Sequence, residues 1–197
     1  MGRQNFGKSS ASILLAGLAL SLTACSGNDS EAENEATAEP AESIARAVVT
    51  GADDIPYGEV IIGEGDGGLI VKIEAQGLEP EPRGVHIHEV GKCEGPDFAS
   101  AGGHWNPTKH EHGFDNPNGA HMGDFFNLEV GEDGTGSVEA RIEGASLQDG
   151  ANALMDADGA AFVIHAGPDD LKTDPSGESG GRIACGVFEI EQFKSVK

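Results

Sequence analysis

The chain has 197 residues, of which 34 are acidic and 12 are Lys or Arg, so its formal net charge at pH 7 is −22. This charge excludes binding to nucleic-acid phosphates or to an anionic lipid surface, because both require clustered cations. The length suits one domain with appendages. The 30 glycines and only ten aromatic residues favour short strands joined by turns over a helical bundle.

Residues 1–24 have the three parts of a bacterial export signal. Arg3 and Lys8 form a basic start, residues 13–22 are apolar, and small residues follow. The apolar stretch is too short for a membrane span. The four residues that end at Cys25, Leu-Thr-Ala-Cys, resemble a lipobox, in which the cysteine is lipidated after cleavage. We therefore predict a membrane-anchored lipoprotein of the cell envelope or periplasm, with an ordinary cleaved signal as the alternative.

An acidic segment follows the signal. Residues 26–42 contain six acids, no base and no large apolar side chain. Such a composition cannot bury enough apolar surface to fold. We predict a disordered tether over residues 25–45 and a folded domain over residues 46–197. The predicted domain has 28 acids and 10 bases, so its charge is −18.

Two cysteines remain once Cys25 is assigned to the lipid. Cys93 and Cys185 are an even pair in a chain predicted to be exported. Export implies an oxidising compartment, where paired cysteines normally form a disulfide. We predict that they are bonded, with two separate buried thiols as the alternative.

The predicted domain contains about eight short apolar or alternating segments between turn signals. They are residues 47–50, 59–62, 69–75, 85–90, 125–130, 136–142, 160–165 and 183–193. This pattern predicts an all-β fold, a sandwich or flattened barrel of antiparallel strands with Greek-key connections. Two long polar, Gly-rich stretches, residues 91–124 and 166–181, interrupt it and are predicted to be functional loops.

Histidines are concentrated in and around these loops. All seven lie between residues 86 and 165: His86, His88, His104, His110, His112, His121 and His165. The alternation of a strand places His86 and His88 on one face, about 6.6 Å apart. His121 and Asp124 form an i, i+3 pair. A solvated loop histidine explains each residue taken alone, but together they predict a site for zinc or copper, which imidazoles bind well.

Four sequence blocks resemble the signatures of the copper/zinc superoxide dismutase family. They are Val-His-Ile-His-Glu at residues 85–89, Ala-Gly-Gly-His-Trp-Asn-Pro at 101–107, His-Met-Gly-Asp at 121–124 and Gly-Arg-Ile-Ala-Cys-Gly at 181–186. The resemblance runs in order from about residue 46 to 197. It implies a Greek-key β-barrel, with which the strand pattern is consistent.

The resemblance implies two metal ions per chain. Copper would be held by His86, His88, His104 and His165, and zinc by His104, His112, His121 and Asp124. His104 belongs to both sets because its two ring nitrogens can each bind an ion once the ring is fully deprotonated. The family's spacing of eight residues after His104 selects His112 over His110, which is left without a role.

Further residues take their expected roles from the same resemblance. Asp169 would link a copper histidine to a zinc histidine and fix the orientation of both rings. Cys93 and Cys185 would form the family's disulfide. Arg182 would guide the anionic substrate to the copper mouth, and Lys172 is a weaker candidate for the same task.

The resemblance implies an enzyme that disproportionates superoxide to dioxygen and hydrogen peroxide. Copper would alternate between Cu(II) and Cu(I), and the bridging His104 would carry a proton. The expected partner is the superoxide anion, with no nucleic acid and with membrane contact only through the lipidated N-terminus. The family resemblance allows a monomer or a homodimer.

Two alternatives compete with the enzyme. A copper-binding or copper-buffering lipoprotein could keep the barrel without turnover, and an interaction protein could use the acidic arm at residues 26–42 with a structural metal. All four implied copper histidines are present, which favours the enzyme. Trp105 stands where the family usually has Phe or Tyr, a departure expected to affect packing.

Overall fold

The computed structural model of the protein describes residues 42–193. The predicted export signal, Cys25 and the tether as far as residue 41 lie outside these residues. The first described strand begins at Glu42, so the predicted domain boundary at residue 46 falls inside a strand. Within residues 42–193, no helix is long and apolar enough to cross a membrane.

Eight strands form the described part of the chain, which confirms the predicted all-β class. They are β1 (Glu42–Gly51), β2 (Pro56–Gly65), β3 (Gly68–Ala75), β4 (Val85–His88), β5 (Gly136–Glu143), β6 (Ala161–His165), β7 (Arg182–Val187) and β8 (Glu189–Phe193). A single 3-10 turn, Ala99–Ala101, is the only helical element among residues 42–193.

The strands form one curled antiparallel sheet in the order β4-β6-β7-β1-β2-β3-β5, with β8 also paired to β1. The chain passes from β3, near one end of this order, to β4 at the other end, which is the predicted Greek-key type of crossover. Alternation places Leu69, Val71 and Ile73 of β3 in the core. Burying one such side chain contributes roughly 1.5–3 kcal/mol.

The segment predicted as a strand at residues 125–130 is not one. It has one isolated bridge, between Leu128 and Arg83, and a second one, between Asp124 and His86, lies just before it. The side chain of Asn127 bonds the backbone of Asp169 in the second long loop. This segment therefore lies along the outer edge of β4 and holds a loop, instead of continuing a regular ladder.

The single strand predicted at residues 183–193 is interrupted. β7 ends at Val187 and β8 begins at Glu189, and the two pair with different parts of β1. The side chain of Phe188, between them, is buried in the core, and its N–H donates to the Ala160 carbonyl. One buried aromatic residue thus breaks the alternation that a continuous strand needs.

Cys93 and Cys185 are bonded, as predicted, across a sequence separation of 92 residues. The bridge joins the first long loop to β7, in which Cys185 pairs with Thr50 of β1. Closing a loop of this length stabilises the fold by roughly 4–5 kcal/mol in the chain-entropy account. The loop is therefore fixed covalently to the sheet beside the histidine strands.

Candidate metal centre

The platform of the site is the pair β4 and β6. Its inner face carries Val85, Ile87, Phe162 and Ile164, which belong to the main core. The alternation of the strands turns the next side chains to the outer face. These are His86 and His88 on β4 and Val163 and His165 on β6, with His86 opposite Val163. The two long loops cover this face, and all three histidines are buried.

The first loop is fixed against β4 by backbone hydrogen bonds. The Trp105 N–H donates to the Ile87 carbonyl at 2.8 Å, and the Ile87 N–H donates to the Gly123 carbonyl at 2.9 Å. A Cβ at Gly123 would lie 2.4 Å from the Ile87 oxygen, so only glycine permits this approach. The Trp105 side chain packs into the core, in agreement with its expected packing role. His104 is thereby held beside His88.

Four imidazoles meet at one point. The ligand atoms of one group lie within 4.8 Å of one another: His86, His88, His104 and His165. Within residues 42–193, one nitrogen of each ring is buried without a hydrogen-bond partner: His86 Nδ1, His88 Nε2, His104 Nε2 and His165 Nε2. An unsatisfied buried polar atom costs about 1–3 kcal/mol. Four converging cases indicate a site built for a cation that accepts nitrogen lone pairs.

The remaining ring nitrogens fix the tautomers of this cluster. His88 Nδ1–H donates to the Gly102 carbonyl at 3.0 Å, and His165 Nδ1–H donates to the Gly180 carbonyl at 3.2 Å. His86 Nε2 lies 2.6 Å from Asp169 Oδ2. With these positions carrying the proton, each inward nitrogen presents a lone pair.

Burial keeps the cluster neutral. It lowers the pKa of His86 to about 3, of His88 to about 2 and of His165 to about 4, because a charged imidazolium is poorly solvated in the interior. Burial also lowers the pKa of His104, and its contact with Asp124 opposes that effect. At neutral pH the rings of His86, His88 and His165 are therefore available as ligands without prior deprotonation, whereas His104 must lose its remaining ring proton to bind an ion at each nitrogen.

A second cluster forms around Asp124. Its Oδ1 lies 2.8 Å from His104 Nδ1 and 3.2 Å from His121 Nδ1, and its Oδ2 lies 3.1 Å from His112 Nδ1. Burial alone would raise the pKa of Asp124, but hydrogen bonds with His104 and His121 and the close approach of His112 outweigh it and lower that pKa below its usual range. A buried carboxylate with three imidazoles matches the ligand chemistry of zinc.

One group of ligand atoms on this side comprises His86, His104, His112 and Asp124, again within 4.8 Å of one another. His86 belongs to it because its ring stacks on that of His104, with centroids 3.9 Å apart. His121 joins the group through Asp124 and through His104, 3.4 Å away between Nδ1 atoms. The structure thus brings together every implied ligand of both metals.

His104 is common to both clusters. Its Nδ1 faces Asp124, and its Nε2 faces the other three imidazoles of the first cluster. Because the two nitrogens lie on opposite sides of one rigid ring, they can bind two different cations at a fixed separation. This is the arrangement that the sequence resemblance implies for residue 104.

Asp169 connects the clusters from outside. Its Oδ2 contacts His86 Nε2 at 2.6 Å, and its Oδ1 contacts His112 Nε2 at 3.0 Å. Burial would raise its pKa, but bonds with His112 and His86 lower it. At His112, burial lowers the pKa and the bonds to Asp124 and Asp169 raise it, to about 9 overall. Two carboxylates around this ring therefore favour positive charge there.

Asn127 also supports the site, and sequence reasoning missed it. Its side-chain amide donates to the Asp169 carbonyl at 2.9 Å, and its Oδ1 accepts from the Asp169 N–H at 2.7 Å. The two bonds hold the backbone of Asp169 from a position 42 residues earlier in the chain. The only sequence signal was a polar residue inside a segment interpreted as a strand.

Arg182 lies beside the four-imidazole cluster. Its guanidinium donates to the Phe98 carbonyl at 2.7 Å and to the Gly102 carbonyl at 2.6 Å. The Gly102 carbonyl also accepts from His88, so the cation and this imidazole share one acceptor. Burial lowers the pKa of Arg182, which is only half buried and keeps its charge at neutral pH.

The two remaining candidates lie elsewhere. The Lys172 side chain is exposed on the second long loop, where its carbonyl accepts from Asn116 of the first loop. His110 is exposed and contacts the Ala120 carbonyl at 3.2 Å, outside both clusters. The choice of His112 over His110 therefore agrees with the geometry.

The fold and site define a class: an antiparallel β-barrel whose outer face carries two adjoining metal-ligand clusters with one imidazole in common. The family model for copper/zinc superoxide dismutase matches residues 57–188. The chain belongs to the copper/zinc superoxide dismutase family.

Individual relatives agree with this assignment. Copper/zinc superoxide dismutase 1 of Aquifex aeolicus is 43% identical over 154 residues, 75% of this chain and 91% of that protein. The copper/zinc superoxide dismutase of Caulobacter vibrioides is 41% identical over 74% of this chain and 85% of its own length. A crystal structure of a SOD-like protein from Bacillus subtilis has a TM-score of 0.69 and 43% identity, over 72% of this chain and 96% of that one. The predicted family, fold class and oxidoreductase class are confirmed.

Gly177 provides a test of the contact between Asp169 and His112. Gly177 has φ +64°, and a Cβ there would lie 1.8 Å from Asp169 Oδ1 and 2.7 Å from His112 Nε2. We expect Gly177→Ala to displace the carboxylate and to weaken zinc binding by about 10–100-fold, the usual effect of losing a group that orients a metal-binding histidine. Zinc affinity measured by competition with a chelator checks this.

Gly67→Ala is the matched control. Gly67 also has positive φ, +78°, but a Cβ there would meet nothing within 4 Å. Both variants suffer the same backbone strain, and only one reaches the site. Equal zinc affinities in the two variants would contradict the proposed importance of the Asp169 contact.

Proposed function

We propose that the chain disproportionates superoxide to dioxygen and hydrogen peroxide. The proposal rests on four buried imidazole nitrogens that converge on one point and have no protein hydrogen bond within residues 42–193. One of the four is Nε2 of His104, whose other nitrogen faces the carboxylate of Asp124. The family assignment supports the same reaction.

The donor sets fit two different ions. We assign copper to His86, His88, His104 and His165, since neutral imidazoles suit copper. We assign zinc to His104, His112, His121 and Asp124, since a carboxylate among imidazoles suits zinc. Bound copper supplies the one-electron exchange between Cu(II) and Cu(I), which zinc lacks.

The protein's own residues orient the site and handle protons. Asp169 holds His86 and His112 by their outer nitrogens, so their inner nitrogens keep their direction. Peroxide formation consumes two protons. We assign the delivery of one of them to His104 Nε2, and the other would come from solvent water. Because His104 Nδ1 stays at Asp124, 2.8 Å away, a proton held at Nε2 leaves the ring in place.

Arg182 is assigned to substrate attraction. The net charge of −18 over residues 46–197 repels an anion at long range. A fixed cation at the mouth of a site can focus the local field against such a background, an effect for which superoxide dismutases are a standard example. Arg182, held by two carbonyls beside His88, is in a position to supply that charge.

We also propose that the protein works in the bacterial cell envelope, anchored through a lipidated Cys25. The basic start, apolar stretch and lipobox-like residues that end at Cys25 support this proposal. Stable attachment requires more than one acyl chain.

Metal content and activity test the main proposal. The chain from residue 25, with Cys25 changed to Ser, is expected to contain one copper and one zinc and to consume superoxide until a copper chelator is added. His165→Asn is expected to lose copper and activity and to retain zinc, because His165 belongs only to the four-imidazole cluster. His110→Asn, outside both clusters, is the matched control. A chain that holds zinc alone, or copper without superoxide consumption, would favour the non-catalytic alternative.

Arg182→Ala is expected to lower the rate constant for superoxide about tenfold, since an ionic contact at about 4 Å is worth about 1–4 kcal/mol between water and a protein surface. Copper content should not change, and the deficit should shrink as salt screens the charge. Pulse radiolysis at several ionic strengths measures both effects. Lys172→Ala removes an equal but exposed charge from the second loop and should have little effect. Identical rates for Arg182→Ala and the unchanged protein at low salt would refute the role.

Lipidation predicts a change of location. Cys25→Ser is expected to move the protein from the membrane fraction to the soluble envelope fraction, because the acyl attachment atom is gone. Mass spectrometry of the N-terminal peptide should show acyl groups on Cys25 in the unchanged protein. An unmodified Cys25, or fractionation that the substitution leaves unaltered, would support an ordinary cleaved signal.

A further inference from the structure

A second aspartate of the loop at residues 166–181 lies against the Asp124 cluster. Asp174 Oδ1 accepts a hydrogen bond from the His112 backbone N–H at 2.8 Å. The same oxygen lies 3.9 Å from His121 Nε2. One carboxylate oxygen thus meets two of the three histidines that surround Asp124.

We propose that Asp174 is a positioning residue of the zinc site, which it serves by placing a negative charge beside the outer nitrogen of His121. The inference rests on the zinc assignment made above. Asp174 binds no metal in this scheme and acts only through His112 and His121.

The two nitrogens of the His121 ring face different groups. His121 Nδ1 faces Asp124 at 3.2 Å and can bind a cation only in the tautomer that has its proton on Nε2. A carboxylate facing Nε2 favours that tautomer and raises the basicity of the inner nitrogen. Asp169 accepts a hydrogen bond from His112 Nε2 at 3.0 Å, whereas Asp174, 3.9 Å from His121 Nε2, acts on that ring through its charge. The two outer nitrogens of the cluster therefore face two aspartates of one loop.

The solvent exposure of Asp174 limits the effect of its charge on the His121 ring. The Asp169 side chain is fully buried, whereas that of Asp174 is 51% exposed. Water screens a half-exposed carboxylate, so its effect belongs at the weak end of the usual range and should depend on salt.

Other contacts hold the loop in place without Asp174. The Asp115 N–H donates to the Leu171 carbonyl at 2.8 Å. Asp170 accepts from the backbone N–H groups of Lys172 and Thr173 and from the Thr173 hydroxyl. Loss of the Asp174 charge should therefore leave the loop fold intact, which separates a positioning role from a structural one.

The test uses the complete chain from residue 25 with three substitutions. Asp174→Asn keeps an oxygen that can accept from His112 and removes the charge. Asp174→Glu keeps the charge and should recover most of the function. Glu178→Gln removes an equal charge from the same loop, at an exposed side chain, and serves as the matched control.

Zinc affinity is measured by chelator competition at low salt and at about 1 M salt, where the screening length is about 3 Å. We expect Asp174→Asn to weaken zinc binding about two- to fivefold at low salt, with a smaller difference at high salt. The visible absorption of Co²⁺ placed in the zinc site should change in Asp174→Asn, because the His121 ring is less firmly oriented. Glu178→Gln should keep both the affinity and the spectrum of the unchanged protein.

The outcomes are distinct. Equal affinities and spectra for Asp174→Asn and the unchanged protein would overturn the inference and leave the zinc site standing. An equal loss in Glu178→Gln would assign the effect to the net charge of the loop, and would also overturn it. An unchanged protein that binds no zinc would remove the zinc assignment itself, and this inference with it.

Discussion

The structure depends on one imidazole ring that serves two clusters. His104 has Nδ1 at 2.8 Å from Asp124 and Nε2 among three other buried imidazoles. Neither side works unless the ring is held to within a fraction of an ångström. The backbone bonds of Trp105 and Gly123 to Ile87 provide that restraint, because they attach the loop to a strand whose opposite face is the core. The hydrophobic effect that packs Ile87 thus also places the ring.

Both histidine clusters lie on the outer face of the sheet, and this position explains the alternation on β4, the two long loops and the contacts that fix them. The side chains of β4 alternate between the core and the histidine clusters, so a shift of the strand pairing by one residue would exchange the two sets. The outer histidines need cover, which the two long loops supply. The disulfide between Cys93 and Cys185 fixes one loop to β7, and Asn127 fixes the other through Asp169.

Local patterns predicted much of this and failed where distant contacts decide. The alternation at His86 and His88 and the family blocks predicted which histidines cluster, because those signals lie within a few residues. The interpretation of residues 125–130 as a strand was wrong because Asn127 bonds a residue 42 positions away. Asp174 contacts His112 across 62 residues, and no spacing rule connects an exposed loop aspartate to that partner. Phe188 ended β7 for a similar reason, since its burial is a property of the packed core.

The two clusters that share His104 differ in charge. One consists of imidazoles whose pKa values burial depresses, so it presents neutral nitrogens and carries no charge of its own. The other contains Asp124, and Asp169 lies behind it, so negative charge collects on the His112 side. A cation that needs charge neutralisation is favoured on that side, and a cation that prefers nitrogen donors is favoured on the other. The same ring therefore joins two environments of different electrostatic character, and this difference gives each ion a preferred side without any difference in the ring itself.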